Sequence, residues 1–145
     1  MIKICFVCLG NICRSPMAEF IMKEKVKQLN LEKDFLIESR GTSYEEEGND
    51  IYPPVKEILK KHHIPYNRHT ATRLEEEDRD KYDKIICMEE SNIKKAQLIL
   101  KDSKKITKLL ARDISDPWYT RDFETTYIDI QEGIEKLLEE LKKNL

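Results

Sequence analysis

A thiol and a guanidinium stand with five residues between them in Cys8-Leu9-Gly10-Asn11-Ile12-Cys13-Arg14-Ser15, a spacing that suits a loop wrapped around one tetrahedral anion such as phosphate. Its backbone N–H groups would point inward, helped by Gly10 and Asn11, which tolerate positive φ. The helix expected after Ser15 adds its positive end, and Arg14 offers a bidentate fork to two phosphate oxygens. The same field acts on the thiol, because helix N-termini and nearby cations favour the thiolate, so Cys8 is the expected nucleophile. Attack on phosphorus would give a phosphocysteine, with the loop amides and Arg14 stabilising the equatorial oxygens. Ser15 is expected both to donate a hydrogen bond to the sulfur and to cap the helix.

The elements that must hold this loop are legible around it. Ile2-Lys3-Ile4-Cys5-Phe6-Val7-Cys8 is short, apolar and rich in β-branched and aromatic residues, as a buried strand is. Ser15-Pro16 then opens a helix that runs to about Gln28. Further strands are expected at 35–39, 84–88 and 106–110, and further helices from Val55 to His62 and from about Glu89. In the last helix Phe123, Tyr127, Ile130, Ile134, Leu137, Leu138 and Leu141 recur every three or four residues. Alternating strands and helices imply an α/β fold, a parallel sheet doubly wound by right-handed crossovers, with ligands at the carboxyl ends of the strands. Cys8 ends the first strand, where such a ligand would sit.

The 145 residues suit one domain, 1–145. With 26 basic and 28 acidic side chains there is no basic excess of the kind nucleic-acid binding requires. No run approaches the roughly 20 apolar residues of a membrane span, and Met1-Ile2-Lys3-Ile4 lacks the organisation of a secretory signal, so a cytoplasmic location is the default. Cysteines stand at 5, 8, 13 and 87. Cys5 and Cys87 read as small buried strand residues. A zinc site from Cys5, Cys8 and Cys13 lacks a fourth ligand at suitable spacing, and Cys5 lies mid-strand. His62 and His63 read as a structural helix end, and Glu75-Glu76-Glu77-Asp78 as an acidic first turn.

Val7-Cys8-Leu9-Gly10-Asn11-Ile12-Cys13-Arg14-Ser15-Pro16 closely resembles the signature of low-molecular-weight protein tyrosine phosphatases. The resemblance continues in Cys87-Met88-Glu89-Glu90-Ser91-Asn92, in the Asp116-Pro117-Trp118-Tyr119 loop and in Asp122-Phe123-Glu124-Thr125. It implies a three-layer, flavodoxin-like fold with a four-stranded parallel sheet, and a protein-tyrosine phosphatase acting on phosphotyrosine proteins; the thiolate and the loop call for no metal or cofactor, and a monomer is the expectation. In that family the aspartate matching Asp116 is the general acid and later activates water. The loop residues Leu9, Gly10, Asn11, Ile12, Cys13 and Ser15 would bind substrate, with Trp118 and Tyr119 lining the slot for its ring. Asn11 matches an asparagine that holds the loop open, and Ser39 and His69 match its hydrogen-bond partners. Cys13 is implied as the partner of a reversible disulfide with Cys8 under peroxide.

Two departures bear on specificity. Where the family often carries an aromatic pocket wall, this chain has Tyr44-Glu45-Glu46-Glu47, so either Tyr44 replaces that wall or the wall is open and acidic. Tyr52 is another residue that could join the rim. Relatives selective for phosphoarginine tend to carry threonine where this chain has Ile12, which favours a flat phenol ring. Protein-arginine phosphatase is thus the second reading. Arsenate reductase-like thiol chemistry would need further cysteines after the third strand, and a non-catalytic binding module would usually have lost the nucleophile or the acid.

Overall fold

The computed structural model describes residues 1–102 and 104–145. The chain opens with β1 (Ile2–Cys8), α1 (Arg14–Gln28), a single 3₁₀ turn, and β2 (Phe35–Gly41). There follow α2 (Pro53–Lys61), α3 (Asp78–Lys81), β3 (Lys84–Cys87), α4 (Glu90–Leu100), β4 (Ile106–Lys108), α5 (Pro117–Thr120) and α6 (Phe123–Lys142). All strand pairings are parallel, in the order β2-β1-β3-β4, with Cys8 opposite Gly41 and Val7 opposite Cys87.

β1 is buried from Ile4 to Cys8 because it is covered on both sides. Its period-two alternation sends Ile4, Phe6 and Cys8 into one core and Cys5 and Val7 into another. The first core is roofed by α1, α2 and α6, the second by α4 together with Leu74 and Tyr82, which flank α3; this gives three layers. The first half of α1 is buried all round, since it is wedged between the sheet and α6.

The chain leaves β1 towards β2 on one side and later returns to the other side as β3, so the strand order reverses at β1. The crevice beyond Cys8 lies at that reversal, the place where parallel sheets leave room for a ligand. Gly41 allows the approach: a Cβ there would come within 2.9 Å of the Leu9 carbonyl, and Thr42 and Ser43 donate backbone hydrogen bonds to that oxygen.

Several boundaries differ from the sequence reading. β2 runs on to Gly41, while β3 stops at Cys87 and β4 at Lys108. α2 starts at Pro53, whose fixed φ suits a first turn. Asp116-Pro117 is the start of a one-turn helix, not loop, because the Asp116 side chain accepts from Trp118 N and caps it. The acidic run 75–78 leads into α3, but Asp78 is buried and its carboxylate accepts from Glu75 N. His62 caps α2 and ties it to α6, its ring stacked 3.8 Å from that of Tyr127 and 2.7 Å from Glu124 Oε1.

Candidate active site

Cys8 ends β1 and Arg14 begins α1, so the loop between them has five residues in which to reverse direction. Asn11 makes the turn with φ +60°, a conformation that asparagine tolerates. Gly10 stays at negative φ. Its missing side chain serves packing instead, since a Cβ there would lie 3.3 Å from Cγ of Glu46.

Behind the sulfur runs a buried relay. Ser39 Oγ donates to Glu19 Oε1 at 2.6 Å, and Asn11 Nδ2 donates to Ser39 Oγ at 3.0 Å and to Ser15 Oγ at 2.7 Å. Ser15 Oγ lies 3.0 Å from Cys8 Sγ. Ser15 Oγ accepts from Asn11, and its one proton has two acceptors in reach, the Arg40 carbonyl at 3.3 Å and the Cys8 sulfur at 3.0 Å; turned to the sulfur, it favours a thiolate. The expected helix cap is therefore not made. α1 begins two residues earlier, at Arg14 after Cys13, and has no side-chain cap, which leaves first-turn N–H groups available to an anion. His69 Nε2 sits 2.8 Å from the Asn11 carbonyl, which can only accept, so this nitrogen carries the proton. Burial lowers the pKa of His69 despite that bond and keeps the ring neutral.

Arg14 is buried, and its Nη1 donates to Glu89 Oε2 and to the Ile114 carbonyl, both at 2.8 Å. Its Nη2 reaches Asp116 Oδ2 at 3.4 Å. Burial works against the charge, but Cys8, Asp116 and Glu89 outweigh it and hold the guanidinium protonated. For Glu89 too, burial is overcome by hydrogen bonds from Ser91 and Arg14, which keep its carboxyl below the ordinary range. The sequence reading gave Glu89 no role. The signal lay in Glu89-x-x-Asn92, since Asn92 Oδ1 accepts from the Met88 and Glu89 amides and fixes the start of α4.

The cavity above the loop measures about 120 Å³. Cys8, Leu9, Gly10, Ile12, Cys13 and Arg14 form its floor. Burial pushes the Cys13 thiol well up, with the neighbouring Cys8 and Asp116 adding to it, so Cys13 is held as a neutral thiol. Asp116, Trp118 and Tyr119 form one wall. Trp118 packs on Tyr52 with ring centroids 4.8 Å apart, and Tyr52 N donates to the Ile12 carbonyl. Tyr52 thus braces the aromatic wall from behind and does not line the cavity. Asn11, Ser15, Ser39 and His69 stand behind the floor, buried and turned to one another.

Tyr44 is a correction. It does not line the cavity; Glu45 and Glu46 do. The Tyr44 hydroxyl donates to Glu75 Oε1 at 2.7 Å while the Arg73 guanidinium covers its ring at 4.6 Å, which holds the side chain away from the mouth. All four cysteines are free, and among the described residues no three His, Cys, Asp or Glu side chains converge as a metal site. No helix among them is long and apolar enough to cross a membrane.

Residues 3–145 match the family model described as low molecular weight phosphotyrosine protein phosphatase. The chain is 35% identical to the low molecular weight protein-tyrosine-phosphatase PtpA of Staphylococcus epidermidis, over 99% of its own length and 96% of the relative's. Its structure is similar to that of SP-PTP, a low molecular weight protein tyrosine phosphatase from Streptococcus pyogenes, with TM-score 0.91, 40% identity, and 97% and 93% of the two chains covered. It is also similar to DARP, the Drosophila arginine phosphatase, with TM-score 0.87, 31% identity, and 97% and 98% covered.

Proposed function

The chain belongs to the low molecular weight phosphotyrosine protein phosphatase family, and on that footing we propose that it hydrolyses phosphotyrosine in proteins through a phosphocysteine on Cys8. The observation that carries this reading is the convergence on one cavity of the Cys8 sulfur, backed by the Asn11–Ser15 relay, with Arg14 and Asp116. In the first step Cys8 Sγ attacks phosphorus and the P–O bond to the aryl group breaks. The leaving oxygen takes a proton from Asp116, a transfer worth roughly 10² to 10⁴ in rate. In the second step Asp116 takes a proton from water, which attacks phosphorus and releases phosphate, and the Ser15 hydroxyl supports the departing thiolate. The long Arg14–Asp116 contact gives way to phosphate oxygens, while Glu89 and the Ile114 carbonyl keep the guanidinium in place.

The nucleophile and the anion loop supply this chemistry without a metal or cofactor, and a monomer suffices, since the groups named all come from one chain. Four free thiols suit a reducing cytoplasm. The second reading, hydrolysis of phosphoarginine, is favoured by the carboxylates Glu45 and Glu46 at the cavity and opposed by the apolar Ile12 on its floor. Steady-state hydrolysis of phosphotyrosine and phosphoarginine, without added metal, separates the two. Phosphotyrosine should be the better substrate, Cys8→Ser inactive and Asp116→Ala slowed at least about 100-fold. A preference for phosphoarginine would keep the mechanism and reverse the specificity; no turnover of either would sink the enzyme reading.

A further inference from the structure

A substrate phosphate in this cavity faces an unbalanced set of charges. One guanidinium, Arg14, looks into it against three carboxylates, Asp116, Glu45 and Glu46. Arg14 is already shared between Glu89 and Asp116. Arg121, on the aromatic side, lies over the rings of Tyr52 and Phe123 and does not line the cavity.

The acids around the mouth divide by what they meet. Glu47 accepts from Arg73 N, Glu75 from the Tyr44 hydroxyl, and Asp50 pairs with Lys56 at 2.6 Å. Among the described residues Glu45 and Glu46 take part in no ion pair, and the Glu46 carboxylate accepts only from the neutral Asn49 side-chain amide at 2.7 Å. They cannot retreat as a group, because their loop is clamped. Gly48 N donates to the Ala71 carbonyl at 2.8 Å and Ala71 N to that of Asn49 at 2.7 Å, while the stem of Glu46 rests over Gly10 of the anion loop. Asp50 is neutralised by a cation and Glu47 and Glu75 are held by donors of the protein, whereas Glu45 and Glu46 at the cavity meet no cation.

Resting on the phosphatase reading above, we propose that Glu45 and Glu46 are specificity residues that select phosphoproteins carrying an arginine or lysine beside the phosphorylated side chain. Such a cation offsets the repulsion between the phosphate dianion and the acidic wall. It also finds the exposed face of Trp118 across the mouth, a surface that accepts cations. A rim pair of this kind changes kcat/KM by about two- to fivefold per carboxylate.

The test uses two phosphotyrosine peptides identical except for arginine or glutamate on both sides of the phosphorylated residue, with p-nitrophenyl phosphate as the substrate that has no flank. The wild type should favour the arginine peptide, the preference should vanish in Glu45→Gln/Glu46→Gln and invert in Glu45→Lys/Glu46→Lys. Raising the salt to about 0.5 M should shrink it in the wild type. Equal use of both peptides by the wild type, or a preference that both double variants retain, overturns the proposal and leaves the phosphatase reading standing. Failure of the wild type to hydrolyse p-nitrophenyl phosphate and both peptides overturns the two together.

Discussion

At the scale of single residues, the site depends on acceptors that keep donors aimed. Arg14 spends one nitrogen on Glu89 and the Ile114 carbonyl, so its orientation is set before any phosphate arrives. Glu89→Gln keeps an acceptor but removes the charge, and hydrogen bonds to charged groups are worth about 1.5–3 kcal/mol. The expected result is a fall in kcat/KM of about tenfold or more, with the inhibition constant of inorganic phosphate rising in parallel; a change in kcat with phosphate affinity untouched would show that Glu89 does not act through Arg14. Cys8, Arg14 and Ser15 were legible from spacing alone, because strand, tight loop and helix follow one another without interruption. Asp116 was legible only through resemblance, since an aspartate before proline is equally a turn former. The roles of Glu19 and Glu89 were not legible: Glu89-x-x-Asn92 marks a helix start, but the partners lie 20 and 75 residues away and no local pattern points to them.

At the scale of elements, the segment between β2 and α2 is shaped by Asp50 as much as by its turns. The carboxylate accepts from Ile51 N and His69 N, each at 2.8 Å, and from Lys56 Nζ at 2.6 Å. Partial burial opposes ionisation, but these bonds win and bring its pKa down to about 2. An ordinary aspartate titrates near about 3.9, so the folded state holds its proton less tightly than the unfolded chain does. The stabilisation is then complete above about pH 4 and is lost as the pH falls through the folded value. Asp50→Asn should cost about 1 kcal/mol at neutral pH, seen as a lowered Tm, and the gap from wild type should narrow below pH 4; a gap constant with pH would refute the assignment. The period of 3.6 in α6 and the apolar run of β1 made those elements readable. The one-turn helix α3 showed only as the acidic first turn at 75–78 and α5 not at all, because a single turn has no periodicity.

At the scale of the whole molecule, the reversal of strand order at β1 places the anion loop beside the segments that follow β3 and β4. That much of the architecture could be read from alternating strands and helices, but the order of the strands could not, since it depends on which edge each crossover joins. The acidic mouth is likewise a property of the assembled chain, formed where the 43–50 loop meets the loop after β1 and is clamped to Ala71 and Arg73. The three acceptors on Arg14 lie 75, 100 and 102 residues further along the sequence. Contacts of such separation are the slowest to close, since the chain between them must be ordered first. A refolding chain should therefore regain its helical circular dichroism before it regains turnover, and simultaneous recovery of the two signals would contradict this. Activity in this protein is then a timer as well as a function: it starts only when the last crossover has docked.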